Sequence, residues 1–175
     1  SMDLATGGGL PLGMPILLAG QKSSGKSAFC YKMAGRCVEE LQRPAFLLQA
    51  EQGFDIDWAI KCGLPANGMV FTDKIPDLRS GLQYILNGVK EHQPSCVIMD
   101  SLSALSADPD KSLHESTSRG ERAIPINEFF RKLGPLMDYD NPPLMIFIEH
   151  LHQDVNNPHG GFKTMGGETK GYMAV

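Results

Sequence analysis

The sequence lacks the features of disulfide-bonded, zinc-binding and membrane proteins. Its four cysteines, Cys30, Cys37, Cys62 and Cys96, include no C-x-x-C pair, and three of them fall in apolar runs. We therefore expect reduced thiols in a cytosol-like compartment. The first apolar run, residues 14–19, is too short to span a bilayer and has no basic lead of the kind found in secretory signals. We expect no membrane partner.

The sequence also lacks an excess of positive charge, and its overall composition is that of an ordinary globular protein. The net charge is −4 at pH 7, which excludes a simple basic coat for nucleic acid but leaves open binding through a local loop. Hydrophobic residues make up 42% and charged residues 21% of the 175 residues, which excludes a disordered or collagenous chain. This length suits one domain with its own hydrophobic core.

Five continuously apolar segments predict strands that are covered on both faces, as in a parallel sheet. They are residues 14–19, 45–49, 69–71, 96–99 and 144–148. Apolar residues at helical spacing predict helices between them, over residues 26–41, 77–91 and 125–137. Pro125 is expected in the first turn of the last helix. Strands that alternate with helices predict an α/β fold, with a doubly wound, mostly parallel sheet and helices on both faces.

Two long stretches fit neither pattern. Residues 106–122 are polar and of mixed charge, and residues 151–170 contain four glycines and little to bury. Loops of this length inside a compact domain are usually functional or disordered. Residues 172–175 have the pattern of another strand that is just beginning.

A phosphate-binding motif occupies residues 20–27. This segment matches G-x-x-x-x-G-K-[ST] at every position and lies between a predicted strand and a predicted helix. Small residues allow backbone N–H groups to surround phosphate, and the helix N-terminus adds a favourable dipole. We predict Lys26 at the β- and γ-phosphates of a nucleoside triphosphate and Ser27 on Mg²⁺. The alternative is a glycine-rich turn with a solvated lysine.

Polar residues follow three of the predicted strands at what should be the ligand-binding edge of the sheet. Asp100 is predicted to support the magnesium ion through a water; the alternative is an aspartate that caps the next turn. Glu51 is placed to orient an attacking water, and His150 to respond to the γ-phosphate. For Glu51 and His150 the alternative is an ordinary polar residue at a strand end.

Trp58 is the single tryptophan and follows Asp55 shortly after the second predicted strand. Its flat ring can stack on adenine, which would place this segment beside the nucleotide base. Packing in the core is the alternative.

In combination, these residues resemble the RecA-type DNA strand-exchange ATPases, including the phage UvsX-like branch. The resemblance runs nearly end to end, and its most specific segments are residues 21–27, 46–51, 97–105 and 145–150. It implies ATP and Mg²⁺ as cofactors and catalytic roles for Lys26, Glu51 and His150. The nucleotide contacts that it implies are Gly20, Gln21, Lys22, Ser23, Ser24, Gly25, Lys26, Ser27, Ala28, Asp55, Trp58 and Asp100, with Ser27 and Asp100 on the metal side.

The resemblance also implies single-stranded DNA as a partner. The two long stretches, residues 106–122 and 151–170, would be the DNA-binding loops. The candidate contacts are Arg119, Arg122, Lys163, Gly166, Gly167 and Lys170. A homo-oligomeric filament of the full-length protein and a cytoplasmic location, in a bacterial cell or a phage-infected host, are expected with it.

The chain also departs from the family pattern. We expect a single core domain over residues 1–175, without the family's N-terminal polymerisation segment or its C-terminal strands. Glu149 replaces a usual asparagine beside the phosphate-sensing position.

The predicted function is therefore a recombinase core with DNA-dependent ATP hydrolysis that drives homologous strand exchange, repair and recombination. A RecA-fold helicase or KaiC-like ATPase and a non-hydrolysing nucleotide-binding regulator are the alternatives. A small-molecule kinase is disfavoured because no lid pattern with catalytic arginines is evident.

Overall fold

The computed structural model of the chain describes residues 7–107, 119–153 and 162–164. The strands are β1 (Pro15–Gly20), β2 (Ala45–Gln49), β3 (Met69–Thr72), β4 (Cys96–Asp100), β5 (Leu144–Gln153) and β6 (Phe162–Thr164). The α-helices are α1 (Lys26–Leu41), α2 (Ile56–Lys61), α3 (Leu78–His92) and α4 (Arg119–Leu133). Two short 3₁₀ turns follow β4 and α4, at Leu102–Ala104 and Gly134–Leu136.

Five of these strands form one parallel sheet in the order β1-β5-β4-β2-β3. The first strand in the chain therefore lies at one edge, beside β5. The short strand β6 pairs with the far end of β5 in the antiparallel direction. Because all five main strands run the same way, their carboxyl ends share one edge of the sheet, which is where ligands bind in open α/β folds.

Helices cover both faces of the sheet, so the core has two layers. On one face α3 and α4 pack against Phe46, Val97 and Phe147. On the other, α1 and α2 pack against Leu47 and Ile98. Neighbouring residues of one strand point to opposite faces, and both faces are buried, which explains the unbroken apolar runs in the sequence.

The predicted elements agree closely with these, and the α/β fold class is confirmed. The ranges of α1 and β2 are the predicted ones, β3 and β4 each run one residue further, and β1 and α3 are both shifted by one residue. The six-residue helix α2 was not predicted, because it is too short to show helical spacing in the sequence. Asp55 caps its N-terminus. Its carboxylate accepts a hydrogen bond from the Trp58 N–H at 3.0 Å.

Two predictions about the long stretches are corrected. Residues 151–153 continue β5 and residues 162–164 form β6, so part of the second stretch is strand. Residues 119–122 belong to α4, so Pro125 lies inside the helix rather than in its first turn. Proline has no backbone N–H, so the helix lacks one hydrogen bond at this position. The predicted strand at residues 172–175 lies outside the described residues.

The four cysteines are free thiols, as expected, and three of them are buried. Within the described ranges, no helix is long and apolar enough to cross a membrane.

Candidate functional site

The carboxyl edge of the sheet brings together polar residues that are far apart in the sequence. In the strand register Gly20, the last residue of β1, lies opposite His150 in β5. Asp100, the last residue of β4, lies opposite Gln49 in β2, two residues before Glu51. The backbone N–H groups of Ala50 and Glu51 both donate to the Asp100 carbonyl, at 2.6 and 3.3 Å. Four of the predicted site residues, Gly20, Glu51, Asp100 and His150, are therefore brought to one edge by the sheet.

The predicted phosphate-binding loop joins β1 to α1 and turns sharply. Gly25 precedes the helix with φ of 86°, a left-handed conformation that favours glycine. A Cβ atom at Gly20 would lie 3.0 Å from the Ser24 hydroxyl, so the loop closes tightly on its first residue. Lys26 is buried, and its ammonium group donates to the carbonyls of Gly20 and Gln21 at 3.0 and 2.6 Å. The loop thus concentrates a positive charge at the helix N-terminus.

Ser27 and Asp100 are the predicted metal-side residues, and they contact each other. The Ser27 hydroxyl donates to Asp100 Oδ2 at 2.6 Å, and Asp100 is 2% exposed. Burial raises the pKa of the Asp100 carboxyl, and the Ser27 hydrogen bond and the charge of Lys26 partly offset this. Among the described residues, Asp100 Oδ1 is a buried oxygen without a hydrogen-bond partner. Hard oxygen donors of this kind fit Mg²⁺, so the donor set suits the predicted ion.

Glu51 lies in a network with His150 and two serines. Ser101 donates from its hydroxyl to Glu51 Oε1 at 2.9 Å, and His150 Nε2 contacts the same oxygen. The hydroxyls of Ser101 and Ser103 lie 3.0 Å apart, and Ser103 Oγ accepts the His150 backbone N–H at 3.3 Å. The Asp100–Ser101 peptide bond, which leads into this turn, is cis. The network positions the Glu51 carboxylate and the His150 ring together.

Sequence reasoning gave no role to Ser101 and Ser103. The signal was present, because Ser101 follows Asp100 directly and Ser103 comes two residues later, at the ligand-binding edge. Short hydroxyl side chains after a strand are usually turn residues, however, and only the fold shows that these reach Glu51 and His150.

Trp58 lies in α2, which packs beside α1. It remains 47% exposed and makes an edge contact with Tyr31, at 5.8 Å between ring centroids. The Tyr31 hydroxyl donates to Gln49 at 3.4 Å, and burial, followed by the Asp100 charge, raises the pKa of this hydroxyl. An exposed ring in this place is available to a ligand, and its contact with adenine stays a prediction.

The predicted DNA contacts fall in different environments. Arg119 begins α4, and Lys163 lies in β6, whereas Gly166, Gly167 and Lys170 lie outside the described residues. Arg122 is 5% exposed and donates to the carbonyls of Leu105 and Leu102 at 2.8 and 2.5 Å. Its guanidinium faces the protein rather than solvent, so we do not retain it among the candidate DNA contacts.

Comparison with known proteins identifies relatives but no family profile. No protein-family model matches the chain. Protein RecA of Crocosphaera subtropica is 27% identical over 183 residues, covering 100% of this chain and 50% of that protein. Protein RecA of Bdellovibrio bacteriovorus is 28% identical over 181 residues, covering 100% and 47%, and that of Petrotoga mobilis is 25% identical over 171 residues, covering 95% and 45%.

The chain thus spans about half the length of the curated relatives that it matches. These relatives are bacterial, and they give no support to the phage UvsX-like branch of the predicted resemblance. The five-stranded parallel sheet with helices on both faces is consistent with the core of such a protein. Sequence similarity over the whole chain, together with this fold, supports a RecA-like relationship.

Proposed function

We propose that this chain is the ATP-binding core of a RecA-like recombinase, which hydrolyses ATP in response to single-stranded DNA. The observation that carries the proposal is the cluster at the carboxyl edge of the sheet. It combines a loop lysine, a Ser27–Asp100 pair at 2.6 Å and a Glu51 carboxylate in contact with His150. The similarity to bacterial RecA proteins supports the same conclusion.

Each group has a chemical task. The loop residues Gly20–Ser27 would surround the phosphates, and Lys26 would exchange its two carbonyl partners for phosphate oxygens. Ser27 and, through a water, Asp100 would hold Mg²⁺, which would neutralise charge on the phosphates. Catalysis by such a site comes mainly from positioning and from fixed charges that face the transferred phosphoryl group.

Glu51 is the proposed base, since its carboxylate is held by Ser101 and is partly open to solvent. A carboxylate in this place can orient a water for in-line attack. His150 touches the same oxygen, so a change at the γ-phosphate would alter the Glu51–His150 contact. Because β5 continues beyond His150 to Gln153, that change would pass directly into the second predicted DNA loop.

DNA binding, filament formation and a cytoplasmic location belong to the same proposal. A chain with a net charge of −4 should bind single-stranded DNA weakly as one copy. Tight binding would then come from many linked subunits on one strand. A phage UvsX-like affiliation stays a prediction.

One experiment tests the function: ATP turnover with and without single-stranded DNA, for the parent chain, Lys26→Ala and Glu51→Gln, with nucleotide binding measured in parallel. We expect Lys26→Ala to lose nucleotide binding. Glu51→Gln should keep binding and lose turnover by roughly 100-fold or more, the usual contribution of a positioned base.

Because the chain spans about half the length of its relatives, turnover should be measured for the parent chain alone and for a longer version of the protein. Parental turnover in Glu51→Gln would show that the catalytic assignment is wrong. Binding with no hydrolysis, even in the longer protein with DNA, would select the non-hydrolysing regulator. Duplex unwinding without strand exchange would select a helicase.

A further inference from the structure

Arg122 is a buried arginine to which the proposed ATPase assigns no role. It is the fourth residue of α4 and is 5% exposed. Removing a guanidinium from water is costly unless its N–H groups find acceptors, so a buried arginine normally has a defined set of partners. The partners of Arg122 show which part of the protein it stabilises.

Those partners are two carbonyls of the segment that follows β4. Arg122 Nη1 donates to Leu105 O at 2.8 Å, and Nη2 donates to Leu102 O at 2.5 Å. The turn's own backbone hydrogen bonds are longer, 3.2 Å from Ala104 N to Ser101 O and 3.4 Å from Leu105 N to Leu102 O. Hydrogen bonds from a charged donor are also about twice as strong as neutral ones. The hydrogen bonds from Arg122 to this turn are therefore shorter than the turn's internal backbone hydrogen bonds, and they come from a charged donor.

The turn carries the two serines of the candidate site. Ser101 donates to Glu51, and Ser103 accepts the backbone N–H of His150. The two carbonyls that Arg122 binds lie on either side of Ser103 in the sequence. A shift of the turn would therefore move both hydroxyls relative to Glu51 and His150.

The β5 side of the site also acts on Arg122. Glu149, the residue before His150, is fully buried. Burial lowers the pKa of the Arg122 guanidinium, whereas the negative charge of Glu149 raises it. Arginine has so high a pKa that it stays charged in proteins, so the two buried charges attract each other between α4 and β5.

We propose that Arg122 is a positioning residue, which fixes the turn after β4 so that Ser101 and Ser103 hold Glu51 and His150 in their working arrangement. The effect of Arg122 on catalysis rests on the proposed ATPase function. The positioning itself does not, and it can be measured without nucleotide.

The test follows the backbone amide of His150 by ¹⁵N-resolved NMR in the parent, Arg122→Gln, Ser103→Ala and the double variant. Loss of the Ser103 hydrogen bond should move the His150 amide proton upfield in each single variant. The double variant should show no further shift beyond Ser103→Ala, because both changes act on the same bond. The matched control is Arg79→Gln, since Arg79 is an exposed arginine paired with Glu128 at 2.8 Å; it should leave the His150 amide in place.

Turnover gives a second readout. Arg122→Gln should lower kcat by roughly 100-fold, the scale expected when a catalytic group is misplaced by about 1 Å, while ATP affinity stays within about twofold. A parallel loss of affinity and turnover would instead indicate general disruption and would overturn the proposal. So would an unmoved His150 amide, or shifts that add in the double variant.

If Arg122→Gln does not fold, Arg122→Lys takes its place, because lysine keeps the charge but has no planar fork to bridge two carbonyls. It should move the His150 amide in the same direction, and an unmoved amide would overturn the proposal. Failure of the ATPase function would appear separately, as unchanged nucleotide binding in Lys26→Ala. The amide shifts are independent of that result.

Discussion

Asp100 carries a buried carboxyl group, and its ionisation lowers the stability of the folded protein in the absence of a ligand. Burial raises its pKa above the ordinary value of 3.8, so the folded chain binds this proton more tightly than the unfolded chain does. The contribution of Asp100 to stability therefore falls as pH rises from 3.8 through the folded pKa, and it stays low above that. A cation beside this carboxylate would offset the cost of its ionisation.

Asp100→Asn should accordingly raise the melting temperature of the unliganded chain at pH 7, by an amount that shrinks as the pH approaches 3.8. The same change should weaken magnesium-dependent nucleotide binding by roughly 10–100-fold, as for other residues that support a metal ligand. Thermal melts between pH 4 and 8 and titrations with and without Mg²⁺ measure the two effects. The exposed Asp73→Asn is the control and should show neither. A lower melting temperature for Asp100→Asn at pH 7 would contradict this account.

Trp58 offers a residue-scale test of where the base binds. If the exposed indole stacks on adenine, Trp58→Ala should weaken ATP binding by about 1–3 kcal/mol, the range for bases on aromatic rings. Calorimetric titration measures this, with Tyr139→Ala as a control because Tyr139 is 76% exposed. Unchanged affinity would leave Trp58 with a packing role against Tyr31 alone.

At the scale of single elements, the packing of α3 on the sheet depends on a residue without a side chain. Gly88 lies on the buried face of α3, and a Cβ atom there would overlap the Phe46 ring. Phe46 is 2% exposed and cannot turn into solvent. The helix therefore approaches β2 closely only because position 88 is glycine.

Gly88→Ala should lower the free energy of unfolding by about 1–3 kcal/mol, since overpacking outweighs the gain in helix propensity. Urea denaturation measures the loss. Asn87→Ala, one position away on the exposed face, should change stability by no more than about 0.5 kcal/mol. Equal stabilities of the two variants would show that Phe46 yields without cost.

Elements also show how far sequence patterns could be trusted. Apolar runs and helical spacing predicted β2 and α1 to the residue, because β2 is buried along its whole length and α1 buries one regular face. The patterns failed where burial is not periodic. The first turn of α4 is polar, and β5 continues past Ile148 into mixed residues that pair with β6. Hydrogen bonds to other parts of the chain, rather than local propensity, extend these two elements.

At the scale of the whole molecule, the sheet order converts distant sequence positions into one site. Glu51 and His150 are 99 residues apart, yet β2 and β5 both flank β4 and end at the same edge. Placing candidate residues at that edge required only the parallel α/β pattern. Knowing which of them touch required the order β1-β5-β4-β2-β3, which the sequence pattern leaves open.

The sequence by itself determined the α/β class, the glycine-rich loop before α1 and the placing of Asp100, Glu51 and His150 toward the carboxyl edge of the sheet. Each depends on local chemistry, such as glycines before a helix or a polar residue after a buried strand. Only the tertiary structure decided that Ser101 and Ser103 join Glu51 to His150 and that Arg122 faces the turn between them. Whether a serine or an arginine is exposed to solvent or contacts other residues depends on which strands and helices lie beside it. Long-range packing sets that arrangement.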